Sequence, residues 1–404
     1  MRIALVTAIY PPLNTSGAVL VRDLVYQLAR EGHEIVVLFP DPSIQKPIEI
    51  ESDGAVKVVR IRIGEIRDIG YIRRLTNEIL MPFVMKWRLS KSSISVVDFD
   101  AIICHAPSIF FAPLIKHLKA SSGSKCYLIL RDIFPQWALD LGVIKPGLVF
   151  HFLDWVAKSQ YEVADMIGVQ SESNLPFISG LKTASDKPIE VLYNWIAPST
   201  NKGCSLSVKE TALAGRKIFV YAGNMGVAQG MDALIDLVQE NRNRTDIGFL
   251  FIGRGNQFDR ICAIKESNSL TNLEIFDEID SEDIPGLFAQ CDFGIVALDK
   301  RHKTHNIPGK VMSYLQNGLP IFALLNEGND LIALIEHYQT GVACVGNSTS
   351  AMQEALDQLI QNASSDKYIQ QRCRDMAQEV FAPEVATNKI IAGFKMLEEQ
   401  KFLR

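Results

Sequence analysis

The sequence predicts an α/β protein built from two doubly wound halves, and three observations carry this expectation. Strand-like apolar runs alternate with helical stretches along nearly all of the 404 residues. The alternation stops once, at the polar, breaker-rich stretch Ala197-Pro198-Ser199-Thr200-Asn201-Lys202-Gly203, and restarts after it. The composition, 48% hydrophobic and 22% charged, is that of a globular protein and excludes a disordered or fibrous chain. At roughly 150 residues per domain the length suits two or three domains.

The elements follow in order. Arg2–Ala8 is a continuous β-type run, Val19–Arg30 has helical periodicity with Gly32 at its C-terminal end, and Glu34–Phe39 is the next strand. Further strands are expected near Val56–Ile63, Ala101–Cys104, Cys126–Leu130, Met166–Gln170 and Glu190–Tyr193, with helices between most of them. After the break come strand Lys217–Ala222 and helix Met231–Gln239. Strands follow at Gly248–Ile252, Leu273–Phe276, Phe293–Leu298, Ile321–Leu324 and Val342–Val345, and a helix at Pro308–Gln316. The last helix, Pro383–Leu403, has no strand after it. This divides the chain into domains 1–198 and 204–382, with the helix 383–404 free to pack back on the first domain. Alternation of this kind argues for parallel sheets covered on both faces. Ligands of such sheets bind beyond the carboxyl ends of the strands, where helix N-termini hold anions, so two domains facing a cleft suit a phosphate or diphosphate ligand.

Net charge is −5, with 41 Lys+Arg against 46 Asp+Glu, which argues against nucleic acid as a partner. The charge is uneven. Residues 60–91 hold eight Lys/Arg and three acids, and within them Ile72, Leu75, Ile79, Phe83 and Trp87 recur at helical spacing. This reads as an amphipathic helix, kinked or restarted near Pro82. It has two readings, an interfacial membrane binder or a core-packed helix with a solvated basic face. No run of about 18 apolar residues spans a bilayer, and the N-terminus lacks a signal peptide's apolar region. Seven scattered cysteines with no Cys-x-x-Cys read as reduced thiols of a cytosolic protein, not a metal site.

Four loops between a strand and a helix could carry chemistry. In Ile9–Gly17, Ser16-Gly17 allows close backbone approach of a ligand; a plain turn is the alternative. Tyr221–Gly230 offers three glycines with Asn224 and Gln229 for polar contacts, but the dinucleotide fingerprint Gly-x-Gly-x-x-Gly is absent. In Gly253-Arg254-Gly255 an arginine between glycines can reach a phosphate. The richest is Lys300–Lys310, with four Lys/Arg and two His at a helix N-terminus, an anion site through both side chains and dipole. Asp98-Phe99-Asp100 precedes a strand, on the wrong side of the sheet for a ligand. Asp277–Asp283 includes a helix N-cap pattern. His105, at a strand end, is either a ligand contact or a structural histidine.

These residues resemble the retaining GT-B glycosyltransferases of family 4 over nearly the full chain. Arg131-Asp132-Ile133-Phe134-Pro135-Gln136, Tyr193-Asn194-Trp195, Tyr221-Ala222-Gly223-Asn224-Met225-Gly226 through Gln229-Gly230, Ile307-Pro308-Gly309-Lys310-Val311-Met312-Ser313-Tyr314 and Gly318-Leu319-Pro320 are similar, in order, to motifs of the bacterial O-antigen and capsule subgroup, including N-acetyl-L-fucosaminyltransferases. The resemblance implies an acceptor-binding Rossmann-like domain followed by a nucleotide-sugar-binding one, and transfer from a UDP-sugar to a lipid-diphosphate-linked sugar with no cofactor and no metal. Lys310, Arg254, His105 and Asp132 are the implied catalytic residues, with Lys310, Arg254 and the amides of Ile307–Lys310 on the departing diphosphate. Gly17, Gly223, Asn224, Gly255, Ile279, His305, Asn306, Ile307, Pro308, Gly309 and Ser313 are the implied donor contacts. Arg131 is assigned to the acceptor's diphosphate. The family's pair of glutamates falls on His305 and Ser313, and its Arg and Lys in the glycine loop on Asn224 and Gln229. The expected location is cytoplasmic, peripheral on the inner membrane face through residues 71–91. A nucleotide-sugar 2-epimerase of GT-B fold, or a non-catalytic subunit of a polysaccharide assembly complex, are the competing readings.

Overall fold

The computed structural model describes the chain except residues 14, 141, 185, 300–306, 347, 403 and 404; for 227, 401 and 402 only the backbone is described. It divides into two compact units, Met1–Trp195 with Pro383–Arg404, and Ile196–Ala382.

The first unit runs β1 (Arg2–Thr7), α1 (Ser16–Arg30), β2 (Glu34–Pro40), β3 (Ile48–Asp53), β4 (Val56–Ile61), α2 (Tyr71–Leu89), β5 (Ala101–Ala106), α3 (Ala112–Ser122), β6 (Lys125–Leu130), α4 (Gln136–Asp140), α5 (Leu148–Val163), β7 (Met166–Val169), α6 (Leu175–Ser179) and β8 (Ile189–Val191). Its sheet has the order β3-β4-β2-β1-β5-β6-β7-β8. The central strands β1, β2, β5 and β6 are buried almost end to end, as a sheet covered on both faces requires. α1 starts where the Thr15 side chain accepts from Ala18 N, and Gly32, at φ +85°, follows its end. Chain order reverses beside β1: β2 lies on one side of it and β5 on the other, with Thr7 paired in register with His105. That reversal is where an open α/β sheet leaves room for a ligand.

Two cores flank this sheet. One face is covered by α2, α3 and α5 through Met81, Met85, Leu114, Ile115, Leu118, Leu153 and Val156. The other is covered by α1 and by α14 (Pro383–Phe402), which sends Ala386, Ile390, Phe394 and Leu397 against Tyr127 and Met166. Gly393 has no side chain because a Cβ there would stand 2.6 Å from Met166 Sδ. Lys389 Nζ donates to Val191 O at 2.8 Å, tying the last helix to β8.

The second unit runs β9 (Lys217–Ala222), α7 (Met231–Glu240), β10 (Ile247–Ile252), α8 (Phe258–Ser267), β11 (Leu273–Phe276), α9 (Ile284–Phe288), β12 (Phe293–Ala297), α10 (Gly309–Gln316), β13 (Ile321–Leu325), α11 (Asp330–Tyr338), β14 (Gly341–Val345), α12 (Thr349–Ser365) and α13 (Ile369–Phe381). Its sheet, β11-β10-β9-β12-β13-β14, is parallel throughout and reverses between β9 and β12. Phe219 anchors its core, with ring centroids 4.5 Å from Phe293 and 5.7 Å from Phe249.

Four expectations are corrected. The first sheet is not wholly parallel: β3 pairs antiparallel to β4 through a turn in which Gly54 adopts φ +57°. Its alternation of acidic and apolar residues suits a half-exposed edge and lacked the apolar run that marked the other strands. Residues 196–203 are part of the second unit instead of a free linker, because Gln316 Nε2 donates to Ala197 O at 2.9 Å and Ser199 Oγ to Gln316 Oε1. α2 is one continuous helix through Pro82, so no restart occurs. Its core face is Leu75, Ile79, Met81, Met85 and Leu89, while Ile72, Phe83 and Trp87 of the expected stripe are exposed.

Candidate functional site

In the first unit the site residues gather at the sheet's reversal. His105 is the penultimate residue of β5 and is buried, with Nδ1 3.2 Å from Thr7 Oγ1. The Thr7 hydroxyl has one proton and gives it to Ile9 O at 3.0 Å, so it accepts from His105, which puts the imidazole proton on Nδ1. Nε2 is then a lone pair, buried and without a partner among the described residues. Burial, and secondarily the Arg131 guanidinium, hold the His105 pKa well below the ordinary value, so the ring is neutral at pH 7. A neutral imidazole with a lone pair at Nε2 accepts a hydrogen bond from a hydroxyl.

Arg131 follows β6 and is fixed by Gln170. With the Gln170 amide turned so that its nitrogen faces Arg131 O, it donates there at 3.1 Å and its oxygen accepts from Arg131 Nε at 3.1 Å. The Gln170 and Asn194 amides meet at 2.8 Å. Gly17, in the first turn of α1, makes room for this guanidinium: a Cβ there would stand 2.9 Å from Arg131 Nη1 and 2.5 Å from Ile9 Cδ1. Asp132 is exposed beside it, and its charge partly offsets the burial that lowers the Arg131 pKa. Trp195 acts from a distance: buried, it donates from Nε1 to Leu20 O at 2.7 Å and pins α1. Next to the β1–α1 loop lies a 390 Å³ cavity lined by Pro12, Leu13, Phe39, Asp41, Ile66 and Arg67, among others.

In the second unit the loops after β9 and β10 are zipped together. Gly223 N donates to Ile252 O at 2.8 Å, Met225 N to Arg254 O at 2.7 Å and Gln257 N to Met225 O at 3.0 Å. This closeness requires glycine. A Cβ at Gly253, φ +142°, would lie 2.0 Å from Gly223 O, and one at Gly255, φ +148°, 2.4 Å from Met225 O. Asn224 and Gln229 brace the loop themselves: Gln229 Oε1 accepts from Asn224 Nδ2 at 3.2 Å and from Gly226 N at 3.1 Å.

Lys310 lies under this loop. It is the second residue of α10, and its Nζ stands 3.3 Å from the centroid of the Tyr221 ring, with no hydrogen-bond partner among the described residues. Burial drives its pKa well below the ordinary lysine value. Tyr221 is itself held by donating to Asn224 O at 2.6 Å, and the Tyr314 hydroxyl on α10 accepts from Ala222 N at 2.9 Å. Ile307 is buried ahead of Pro308, which caps α10, and Gly309 is exposed at its start; the first amides of a helix have no partner within it. Lys310, the loop 223–230 and the start of α10 therefore converge at the reversal between β9 and β12, and they can hold an anion.

The remaining predicted residues are less central. Arg254 is exposed and paired with Glu278 Oε2 at 3.0 Å. Ile279 is half-buried three residues beyond the end of β11, and Ser313 is half-buried on α10. His305 and Asn306, with most of the basic cluster, lie outside the described residues. Asp283 does not cap α9 with its side chain, which instead accepts from Ser205 N at 3.0 Å. Asp98 and Asp100 serve Arg2 at the opposite end of the sheet. Sequence reasoning missed Gln170, Tyr221 as the surface under Lys310, and the Tyr314 hydroxyl. The two tyrosines stood inside quoted motifs, but nothing in a sequence shows which ring lies under which amine. Among the described residues no group of three His, Cys, Asp or Glu could hold a metal ion.

Residues 206–376 match the family described as Glycosyl transferases group 1. The chain is 21% identical over 248 residues to a Pseudomonas aeruginosa protein named glycosyltransferase WbjE, a match covering 60% of this chain and 61% of that one. It is 23% identical over 377 residues to an Escherichia coli K12 protein named colanic acid biosynthesis glycosyl transferase WcaI, covering 83% and 84%. Among solved structures, sucrose-phosphate synthase from Thermosynechococcus elongatus has a TM-score of 0.73 at 13% identity, covering 100% of this chain and 99% of that one. HepE of Anabaena, solved in complex with UDP, has a TM-score of 0.66 at 12% identity, covering 98% and 100%. The fold is therefore that of the GT-B glycosyltransferases, two Rossmann-like α/β domains, and residues 206–376 match the glycosyl transferases group 1 family.

Proposed function

We propose that the chain transfers a sugar, with retention, from a UDP-sugar to a lipid-diphosphate-linked sugar during assembly of a bacterial surface polysaccharide. The observation that carries this reading is Lys310. Its buried Nζ beneath the Gly223 loop, at the start of α10, suits the diphosphate of a nucleotide sugar. The group 1 match over the same residues, the UDP in the HepE complex and the polysaccharide role in the name WcaI support the same direction.

In this reading the bond from the sugar's anomeric carbon to the diphosphate oxygen breaks, and its electron pair leaves with UDP. Lys310 and the first amides of α10 stabilise the charge that develops there, an electrostatic contribution made by groups already in position. The acceptor hydroxyl forms the new bond on the same face and passes its proton to the donor phosphate. His105 Nε2 accepts from a sugar hydroxyl and Arg131 pairs with the acceptor's diphosphate. The 390 Å³ cavity beside the β1–α1 loop offers room for an acceptor sugar. The donor sugar we favour is N-acetyl-L-fucosamine or another amino-deoxy sugar. The enzyme works on the inner face of the cell membrane, held by α2. Among the described residues no helix is long and apolar enough to cross a membrane.

The test is UDP release from a panel of UDP-sugars in the presence of a lipid-diphosphate sugar. Acceptor-dependent release with one donor is the expected result. No turnover with any donor, together with no nucleotide binding, overturns the reading.

A further inference from the structure

α5 is apolar on two faces. Its inner face, Leu153, Val156, Ala157 and Tyr161, is in the core. A surface helix should then be polar outside. Instead, its first two turns turn Leu148 (90% exposed), Val149, Phe152 and Trp155 (65% exposed) outward, with Val143 exposed just ahead of them. Exposed apolar residues so concentrated mark a contact surface.

This surface shares a side of the molecule with α2. Both helices flank α3 and feed the same core on one face of the first sheet. α2 likewise exposes Tyr71, Ile72, Phe83 and Trp87. Charge indicates what meets this side. Across 71–91, 112–122 and 145–163 there are nine Lys/Arg against three acidic side chains, in a chain whose net charge is −5. Exposed Trp and Phe amid cations, on a protein that is acidic elsewhere, are complementary to an anionic lipid interface. A protein partner of ordinary composition would not require the cationic surround.

We infer that the first two turns of α5 insert into the same anionic membrane surface that α2 contacts, as a second, apolar anchor. The inference rests on the membrane reading of α2, and the two helices divide the work. α2 supplies attraction to the headgroups, which salt screens, and α5 supplies apolar insertion, which salt does not screen.

That division sets the experiment: sedimentation of the full chain with vesicles of phosphatidylcholine and phosphatidylglycerol, at 0.1 M and 1 M NaCl. One variant carries Leu148→Ser, Phe152→Ser and Trp155→Ser, all exposed, so the core is spared; a second carries Arg73→Gln, Arg74→Gln, Lys86→Gln and Arg88→Gln. Leu148→Asp alone is a third, in case the triple variant folds poorly, and the thermal unfolding transition followed by circular dichroism is the fold control. The α5 variants should partition at least about tenfold more weakly at both salt concentrations, whereas the α2 variant should differ from wild type only at low salt. Binding to vesicles should also shift tryptophan emission to the blue, and Trp155→Phe should remove most of that shift. If the α5 variants sediment like wild type while the α2 variant does not, the inference falls and the α2 reading stands. If wild type itself does not sediment, both fall. If wild type is a dimer that the α5 variants convert to monomer with vesicle binding intact, the surface belongs to a second copy and the inference is overturned.

Discussion

Replacing Lys310 by Met separates the proposed role of this residue from its effect on stability, because the two should move in opposite directions. Methionine keeps most of the aliphatic stem over Tyr221 and removes only the amine, whose Nζ is buried without a partner among the described residues. Leaving a buried polar group unsatisfied costs about 1–3 kcal/mol, so Lys310→Met should stabilise the free protein by about that amount. For a unit of this size the gain corresponds to roughly 2–4 °C in Tm per kcal/mol. The sign depends on pH in a defined way. With its folded pKa held well below the ordinary 10.5, the folded lysine binds fewer protons than the unfolded one. Wild-type stability therefore rises toward pH 10.5, and the advantage of the methionine variant narrows there. UDP should behave oppositely. A diphosphate meeting Nζ makes charge-assisted hydrogen bonds worth about 1.5–3 kcal/mol, so the variant should bind UDP roughly 10–150-fold more weakly. Binding should also raise the pKa of the amine. Titration calorimetry between about pH 7 and 10, in buffers of different ionisation enthalpy, should then show proton uptake over part of that range in wild type and none in Lys310→Met. A variant that is no more stable than wild type and binds UDP within about threefold of it would refute the reasoning.

Three further outcomes follow from the geometry. Gly253→Ala puts a Cβ 2.0 Å from Gly223 O at φ +142° and breaks the zipped loops; it should cost about 3 kcal/mol or more in denaturant unfolding and abolish UDP binding. His105, neutral in the fold, takes up a proton on unfolding below its ordinary pKa of 6.5. Stability should therefore fall by about 1.4 kcal/mol per pH unit as pH drops below that value, and His105→Gln should remove that slope from the urea titration series. Glu278→Gln frees Arg254 from an exposed pair 3.0 Å long; since such pairs are worth about 1 kcal/mol at most, UDP should bind up to about fivefold tighter at 0.1 M NaCl and no tighter at 1 M.

The buried parallel strands were legible in the sequence because each is an unbroken apolar run between breakers. Leu5, Val37, Ile103 and Phe251 each sit in such a run, and in the fold each is buried in a central strand. β3 was not read, because an edge strand carrying Glu49, Glu51 and Asp53 has no apolar run; the signal that marks it is Asp53-Gly54, the dipeptide of a tight hairpin between two alternating segments. On α2 the 3- and 4-residue spacing of Ile72, Leu75, Ile79, Phe83 and Trp87 suggested one stripe. The fold splits it, because the helix has apolar residues on more than one face and periodicity alone does not say which face meets the core. The same limit hid Leu148, Val149, Phe152 and Trp155: a helix apolar on two faces looks like a buried one until its neighbours are placed. At the site, glycines 17, 223, 253 and 255 could be picked out as places where backbone comes close. What each meets could not, since Gly17 faces a guanidinium from a strand more than a hundred residues away and Gly253 faces a carbonyl of another loop.

The loss of positive charge from the glycine loop now has a physical account. Where the resembling family carries Arg and Lys, this chain has Asn224 and Gln229, and their amides bind each other and Gly226 N. They hold the loop's shape and bring no charge to a ligand. Arg254, the other cation of these loops, is neutralised by Glu278. The basic side chain under the loop is Lys310, whose Nζ has no hydrogen-bond partner among the described residues and whose pKa burial lowers well below the ordinary value. In the proposed function, burial disfavours the charge on this amine and a bound diphosphate favours it. A neutral sugar would make no ion pair with it, whereas a diphosphate would favour its protonated form. On the proposed function, selectivity for the diphosphate over the sugar rests largely on Lys310, so its removal should lower nucleotide affinity while it raises the stability of the free protein.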